Sequence, residues 1–159
     1  MKYKLSTKGI NVLKEFEGYS LTSYLCEAGV WTIGIGHTKG VKKGMKITPQ
    51  QAETLLRGDV LECEKFVNAL GVAKTQNQFD ALILFAFNCG LGALKKATFL
   101  QYIRLNRPQA QITEQWKRWN KVYDAKTKTY KVSNGLTRRR NAECNLYFSI
   151  NNTPTDPGE

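Results

Sequence analysis

The sequence has little with which to hold a metal. It contains one histidine, His37, and four cysteines, Cys26, Cys63, Cys89 and Cys144. No two of these stand at the spacing of a zinc or iron–sulfur ligand pair. No cofactor and no metal are expected. The cysteines are also too dispersed to read as a disulfide framework, and a chain of this length does not need one to fold. They are expected free, in a protein made in a reducing compartment, with Cys63, Cys89 and Cys144 as small core residues. Long apolar runs are missing too. The longest, Ala81 to Phe87, falls far short of the roughly 20 residues that span a bilayer, so no stable membrane insertion is expected. The opening MKYKLSTKG has lysines but no apolar stretch behind them, so it does not read as a signal peptide. Acidic residues are scarce: 13 Asp and Glu stand against 24 Lys and Arg, a formal charge of +11. Such a surface attracts polyanions. The basic residues are scattered, apart from Lys42-Lys43, Lys95-Lys96 and Arg138-Arg139-Arg140. There is no basic stripe and no nucleic-acid reading motif, so nucleic acid is not the expected partner.

What is present is enough apolar residue, 42% of 159, to build one core, read as a single domain over 1–150 with a flexible tail at 151–159. Residues 7–17 form an amphipathic helix capped by Ser6 or Thr7. Residues 18–47, rich in Gly and β-branched side chains, form a small β lobe. Thr48-Pro49 opens a helix whose apolar face runs through Leu56, Val60, Cys63 and Val67. Thr75 to Asn88 is apolar on nearly every side from Phe79 onward, as suits a helix at the centre of a bundle. Gly90 and Gly92 end it. A short helix follows around Phe99–Leu105, then another from Pro108 to Asn120. Lys121 to Val132 reads as a loop or an exposed hairpin. Asn134 caps a last helix through Ser149. The fold class is α+β and mostly helical: a small β-hairpin lobe and a larger helical lobe, about 48–149 plus the first helix, flank a cleft.

The most informative stretch runs from Glu17 to His37, EGYSLTSYLCEAGVWTIGIGH. Glu17 falls in the last turn of the first helix, before Gly18. The partial negative charge of that helix end disfavours a carboxylate, so a partly desolvated Glu17 suits a proton donor. Glu27-Ala28-Gly29 reads as a three-residue hairpin loop, which pairs Cys26 with Val30 and Tyr24 with Thr32. Cys26 and Thr32 are then diagonal neighbours about 7–8 Å apart, a gap that fits a water or a sugar carbon. On spacing alone two readings stand. One is a catalytic set; the other is a surface acid, an inert thiol and a strand threonine. His37 has no partner ligand nearby and reads as a structural hydrogen-bonding residue. Trp31, Trp116 and Trp119 read as core before sugar platforms, and the Arg138–Arg140 run as a solvated face.

Glu17, Cys26 and Thr32 with Ile33-Gly34-Ile35-Gly36-His37 resemble the signature of the phage-type lysozymes, glycoside hydrolase family 24. The likeness continues through Thr48-Pro49, Gln78-Phe79-Asp80-Ala81-Leu82, Phe87-Asn88-Cys89-Gly90, and Gly135-Leu136-Thr137-Arg138-Arg139-Arg140 with Glu143, over residues 3–149. The resemblance implies a lysozyme-like fold and an endolysin that hydrolyses the β-1,4 bond between N-acetylmuramic acid and N-acetylglucosamine in peptidoglycan. It implies Glu17, Cys26 and Thr32 as catalytic residues and an anionic wall as the partner of the basic surface. Many members of the family have Asp where this chain has Cys26. The implied enzyme is a monomer, made in the host cytoplasm, that reaches the wall with the help of a separate holin-type protein. Two other classes, a lysozyme-like binding module and a basic nucleic-acid binder, are separated from it by whether the chain lyses permeabilised cells.

Overall fold

The computed structural model describes residues 2–150; the tail expected at 151–159 lies outside the described residues. Chain order is α1 (Thr7–Glu17), β1 (Ser20–Leu25), β2 (Trp31–Gly34), α2 (Pro49–Leu70), α3 (Gln76–Cys89), α4 (Leu91–Lys96), α5 (Thr98–Arg104), α6 (Gln109–Lys117), β3 (Lys121–Asp124), β4 (Thr129–Val132) and α7 (Asn134–Tyr147). The architecture is the expected mostly helical α+β one.

α3 is the centre. Nine consecutive or near-consecutive side chains from Asn77 to Ala86 are buried along it, and it packs against α1, α2, α4 and α7. Phe85 meets Phe99 edge-on, and Phe99 stacks on Trp116 with ring centres 4.3 Å apart. Side-chain caps set the starts of the long helices. Thr48 and Gln51 form a reciprocal capping box at the start of α2, and Thr75 caps α3, each satisfying backbone N–H groups that would otherwise lack partners.

The first helix is pinned to this centre before its first turn. Ser6 accepts from Gly9 N as the cap of α1, while its backbone N–H and its hydroxyl both donate to the Asp80 carboxylate of α3. Gln76 also donates to Asp80, at 2.8 Å. One residue earlier, Leu5 N donates to the buried Glu64 of α2 at 2.7 Å. Burial pushes the Asp80 carboxyl above the usual carboxylate range, against the pull of the Ser6 and Gln76 hydrogen bonds.

The β lobe has the expected register. Tyr24 pairs with Thr32 and Leu25 with Trp31. Cys26 N donates to Val30 O at 3.0 Å, and Gly29 closes the turn at φ 76°, with its N–H on Cys26 O at 2.8 Å. A third segment covers the other edge of β1 through Ser23 N to Met45 O and Ile47 N to Leu21 O, each 2.9 Å.

Three details differ from the sequence reading. Ser133, not Asn134, caps α7, accepting from Leu136 N at 3.2 Å. α6 stops at Lys117 rather than Asn120, because the chain turns there into β3. Gly92 lies inside α4 instead of ending α3; Gly90 alone does that, at φ 94°. Of the two readings of residues 121–132, loop or exposed hairpin, the structure has the hairpin, exposed along β4 and most of β3.

Candidate active site

Glu17 is the last residue of α1, where Gly18 at φ 77° turns the chain away and donates back to Lys14 O at 3.0 Å. A second glycine makes room for it. Gly36 sits at φ 65°, and a Cβ there would come within 3.2 Å of both Cβ and Oε2 of Glu17. The glycine after Ile35 therefore lets the turn following β2 lie directly against the acid. On the other side stands Arg139 of α7. Its Nη1 donates to Glu17 Oε1, its Nη2 to Phe16 O at 3.3 Å, and its guanidinium lies over the Phe16 ring. Acid and guanidinium are both part-buried. Three elements thus fix Glu17: α1 carries it, the turn after β2 backs it and α7 holds it.

Glu17 and Cys26 line one cleft of about 830 Å³, with Tyr24, Glu27, Gly135 and Arg138. Cys26 is a free, part-exposed thiol at the mouth of the hairpin loop. Hydrogen bonding from the backbone at Val30 holds it below the ordinary thiol value, with smaller help from Ala28 and from the Thr32 side chain; partial desolvation opposes them. The loop hydrogen bonds therefore make this sulfur easier to ionise than an unperturbed thiol, and the thiolate is the nucleophilic and basic form of sulfur.

Thr32 is placed differently from its two partners. It is buried and is not among the residues lining the cleft. Its hydroxyl donates to Val30 O at 3.0 Å, across the base of the loop that carries Cys26. The open gap expected between thiol and hydroxyl is replaced by a hydroxyl tied to the backbone of the turn and contributing to the environment of the sulfur.

The arginine run is the main correction. It is not a solvated face: Arg138 lines the cleft, Arg139 holds Glu17 and Arg140 is wholly buried. Arg140 donates to Glu143 at 2.8 Å, to Asn88 at 2.7 Å, to Trp119 O at 3.1 Å and to the Cys89 thiol. Trp116 Nε1 donates to the other Glu143 oxygen at 2.9 Å. Glu143, three residues after Arg140, was the one local signal of that pair. Nothing local could signal Arg139, whose partner lies 122 residues away.

His37 is held at both nitrogens, by Asp59 of α2 at 2.7 Å and by Lys39 O at 2.9 Å, and so ties the β lobe to α2. Cys63 and Cys144 are buried as expected, and burial raises both thiols, Cys144 to about 12. Cys89 is only half-buried, beside Arg140. Among the described residues, no three His, Cys, Asp or Glu side chains converge to hold a metal ion.

A family model described as phage lysozyme matches residues 14–143, a span that contains Glu17, Cys26, Thr32 and Arg139. The chain belongs to the phage lysozyme family. Among its relatives, the endolysin of Acyrthosiphon pisum secondary endosymbiont phage 1 is 36% identical over 146 residues, covering 91% of this chain and 98% of that protein. The endolysin of Bacillus phage PZA is 41% identical over 150 residues, covering 92% of this chain but only 55% of that protein. This lysozyme-family chain thus spans nearly all of one relative and about half of the other. Among solved structures, the muramidase domain of SpmX from Asticaccaulis excentricus superimposes with a TM-score of 0.80 at 31% identity, over 94% of this chain and all of that one.

Proposed function

We propose that the chain is an endolysin that hydrolyses the β-1,4 bond between N-acetylmuramic acid and N-acetylglucosamine in bacterial peptidoglycan. The observation that carries the reading is the pairing of Glu17 and Cys26 on one cleft, from two different elements. Glycoside hydrolysis asks for a group that protonates the leaving oxygen and a second that serves the anomeric carbon. Glu17 takes the first role. Its proton goes to the glycosidic oxygen as the C1–O bond breaks, and the carboxylate left behind meets the Arg139 guanidinium already in contact with it. Cys26 takes the second. As a thiolate it accepts a proton from the water that attacks C1, or attacks C1 itself and is displaced by water in a second step; the anomer first released tells these apart. Thr32 serves as a positioning residue that fixes the turn around the sulfur. The names of the relatives, endolysin and muramidase, support the same bond and the same biological setting.

The active unit in this reading is one domain over residues 1–150, working as a monomer on glycan strands. Among the described residues no helix is long and apolar enough to cross a membrane, and a separate holin-type protein gives the enzyme access from the host cytoplasm to the wall. The test is loss of turbidity of permeabilised Gram-negative cells. The parent chain lyses them, and Glu17→Gln slows lysis by about 10²–10⁴-fold while keeping the parent's circular dichroism spectrum. A Glu17→Gln variant that lyses at the parental rate removes Glu17 from the mechanism.

A further inference from the structure

The β3–β4 hairpin stands apart from the core. Three of the four β3 side chains and all four of β4 are exposed, and four of them are large apolar groups: Val122, Tyr123, Tyr130 and Val132. Pairing of Lys121 with Val132 and of Tyr123 with Tyr130 puts Lys121, Tyr123, Tyr130 and Val132 on one face, and leaves Val122 on the other with its partner Lys131, since side chains alternate along a strand. The two tyrosine rings meet at 5.3 Å, tilted by 62°, and remain 57% and 70% exposed. The opposite face holds the hairpin together. Lys131 pairs with Asp124 at 2.8 Å, and Asp124 also accepts from Lys126 N at 2.9 Å. Among the described residues Lys121, Lys126 and Lys128 are in no salt bridge. An isolated two-stranded hairpin is marginal in water; the cross-strand ring pair supports this one, and the rest of both ring surfaces is left open to solvent.

The hairpin leads along the chain to the rim of the cleft, although none of its own residues lines it. Val132 precedes Gly135, a cleft-lining residue, by three positions, so the two lie within about 10 Å of each other. We propose that the Tyr123–Tyr130 face, with Lys121, is a second binding surface for the glycan strand beyond the cleft. Tyrosine rings offer flat faces to the apolar sides of sugar rings and hydroxyls to their polar edges. The free lysines complement the carboxylates of the stem peptides and keep the surface selective for a charged glycan. The proposal rests on the hydrolase reading above and extends it from the bond cut to the polymer held.

The test is co-sedimentation with purified peptidoglycan sacculi in a Glu17→Gln background, which stops digestion. Tyr123→Ala with Tyr130→Ala lowers affinity on the order of tenfold, and Tyr123→Phe with Tyr130→Phe, which keeps both rings, restores most of it. Both positions are exposed, so the doubly substituted chains should melt with the parent. Flotation with vesicles of phosphatidylethanolamine and phosphatidylglycerol runs in parallel. Unchanged affinity for sacculi in the alanine pair overturns the proposal. So does a loss confined to the vesicles, which would make the face a membrane contact. Release of reducing ends from sacculi by the parent chain keeps the two readings distinct. If the parent releases none, the hydrolase reading fails and this one with it; if it does and the alanine pair binds as before, only the hairpin proposal fails.

Discussion

Arg139 and Arg140 are neighbours in sequence, about 100° apart around α7, and they serve different sites, the cleft and the core. Arg140 turns inward and is wholly buried, gripping Glu143, Asn88 and the carbonyl of Trp119 under the Phe85 ring. Arg139 turns toward the cleft and holds Glu17 with part of both side chains still open to solvent. A buried ion pair costs so much desolvation that it is weak as a source of net stability, yet removing one partner strands the other charge in the core. A part-exposed pair involves little of either penalty. The same residue type therefore acts as scaffold at one position and as a holder of the acid at the next, and the face of the helix decides which.

That contrast can be broken most forcefully from the inside. Arg140→Met removes the donor from Glu143, Asn88 and the Trp119 carbonyl together, and leaving those buried acceptors unpaired should cost about 3–5 kcal/mol, a fall of roughly ten degrees in Tm for a chain of this size, read by thermal circular dichroism. A variant melting with the parent would show that the buried pair is not scaffold.

The next effect is a pH dependence. Burial pushes the Glu143 carboxyl up from 4.5 to about 7, against the pull of Arg140 and the Trp116 hydrogen bond. Between those values the folded chain keeps a proton that the unfolded chain has released. The stabilisation from this group is therefore full below about pH 4.5 and is lost as pH rises through about 7. Glutamine is isosteric with the acid and does not titrate, so in denaturant titrations the parent should lose stability relative to Glu143→Gln from about pH 5 to about pH 8, by at most about 3 kcal/mol. A parent that gains stability relative to the glutamine variant over this range would show that the carboxylate, not the acid, is the form the fold prefers.

The smallest effect on stability belongs to the outer arginine. Arg139→Met should change it by less than about 1 kcal/mol yet slow lysis roughly tenfold, the equivalent of about 1.4 kcal/mol in the barrier. Loss of stability without loss of rate per folded molecule would reverse the roles assigned to the two arginines.

These positions also mark where the sequence was legible. Local rules found the cap at Thr48 and, as one of two candidates, at Ser6, with the loop at Glu27–Gly29 and the register that follows from it, because each is set by residues within a few positions of one another. The central helix was legible from the apolar run after Phe79. The acid and the thiol were legible as a spacing whose meaning came from family resemblance. What local rules missed is long-range. The role of Arg139 depends on Glu17, and the anchoring of α1 depends on Asp80, 74 residues from Ser6. Thr32 was placed on the correct strand pair, but its rotamer, turned to the Val30 carbonyl, is set by burial under the turn and not by pairing.

The central claim is that the sulfur at position 26 does anionic work on the sugar opposite Glu17, and exchanging that one side chain tests it most directly. Release of reducing ends from peptidoglycan should continue at a substantial rate in Cys26→Asp, which keeps an ionisable group, and fall by about a hundredfold or more in Cys26→Ser, which does not. A serine variant as fast as the parent would contradict the account.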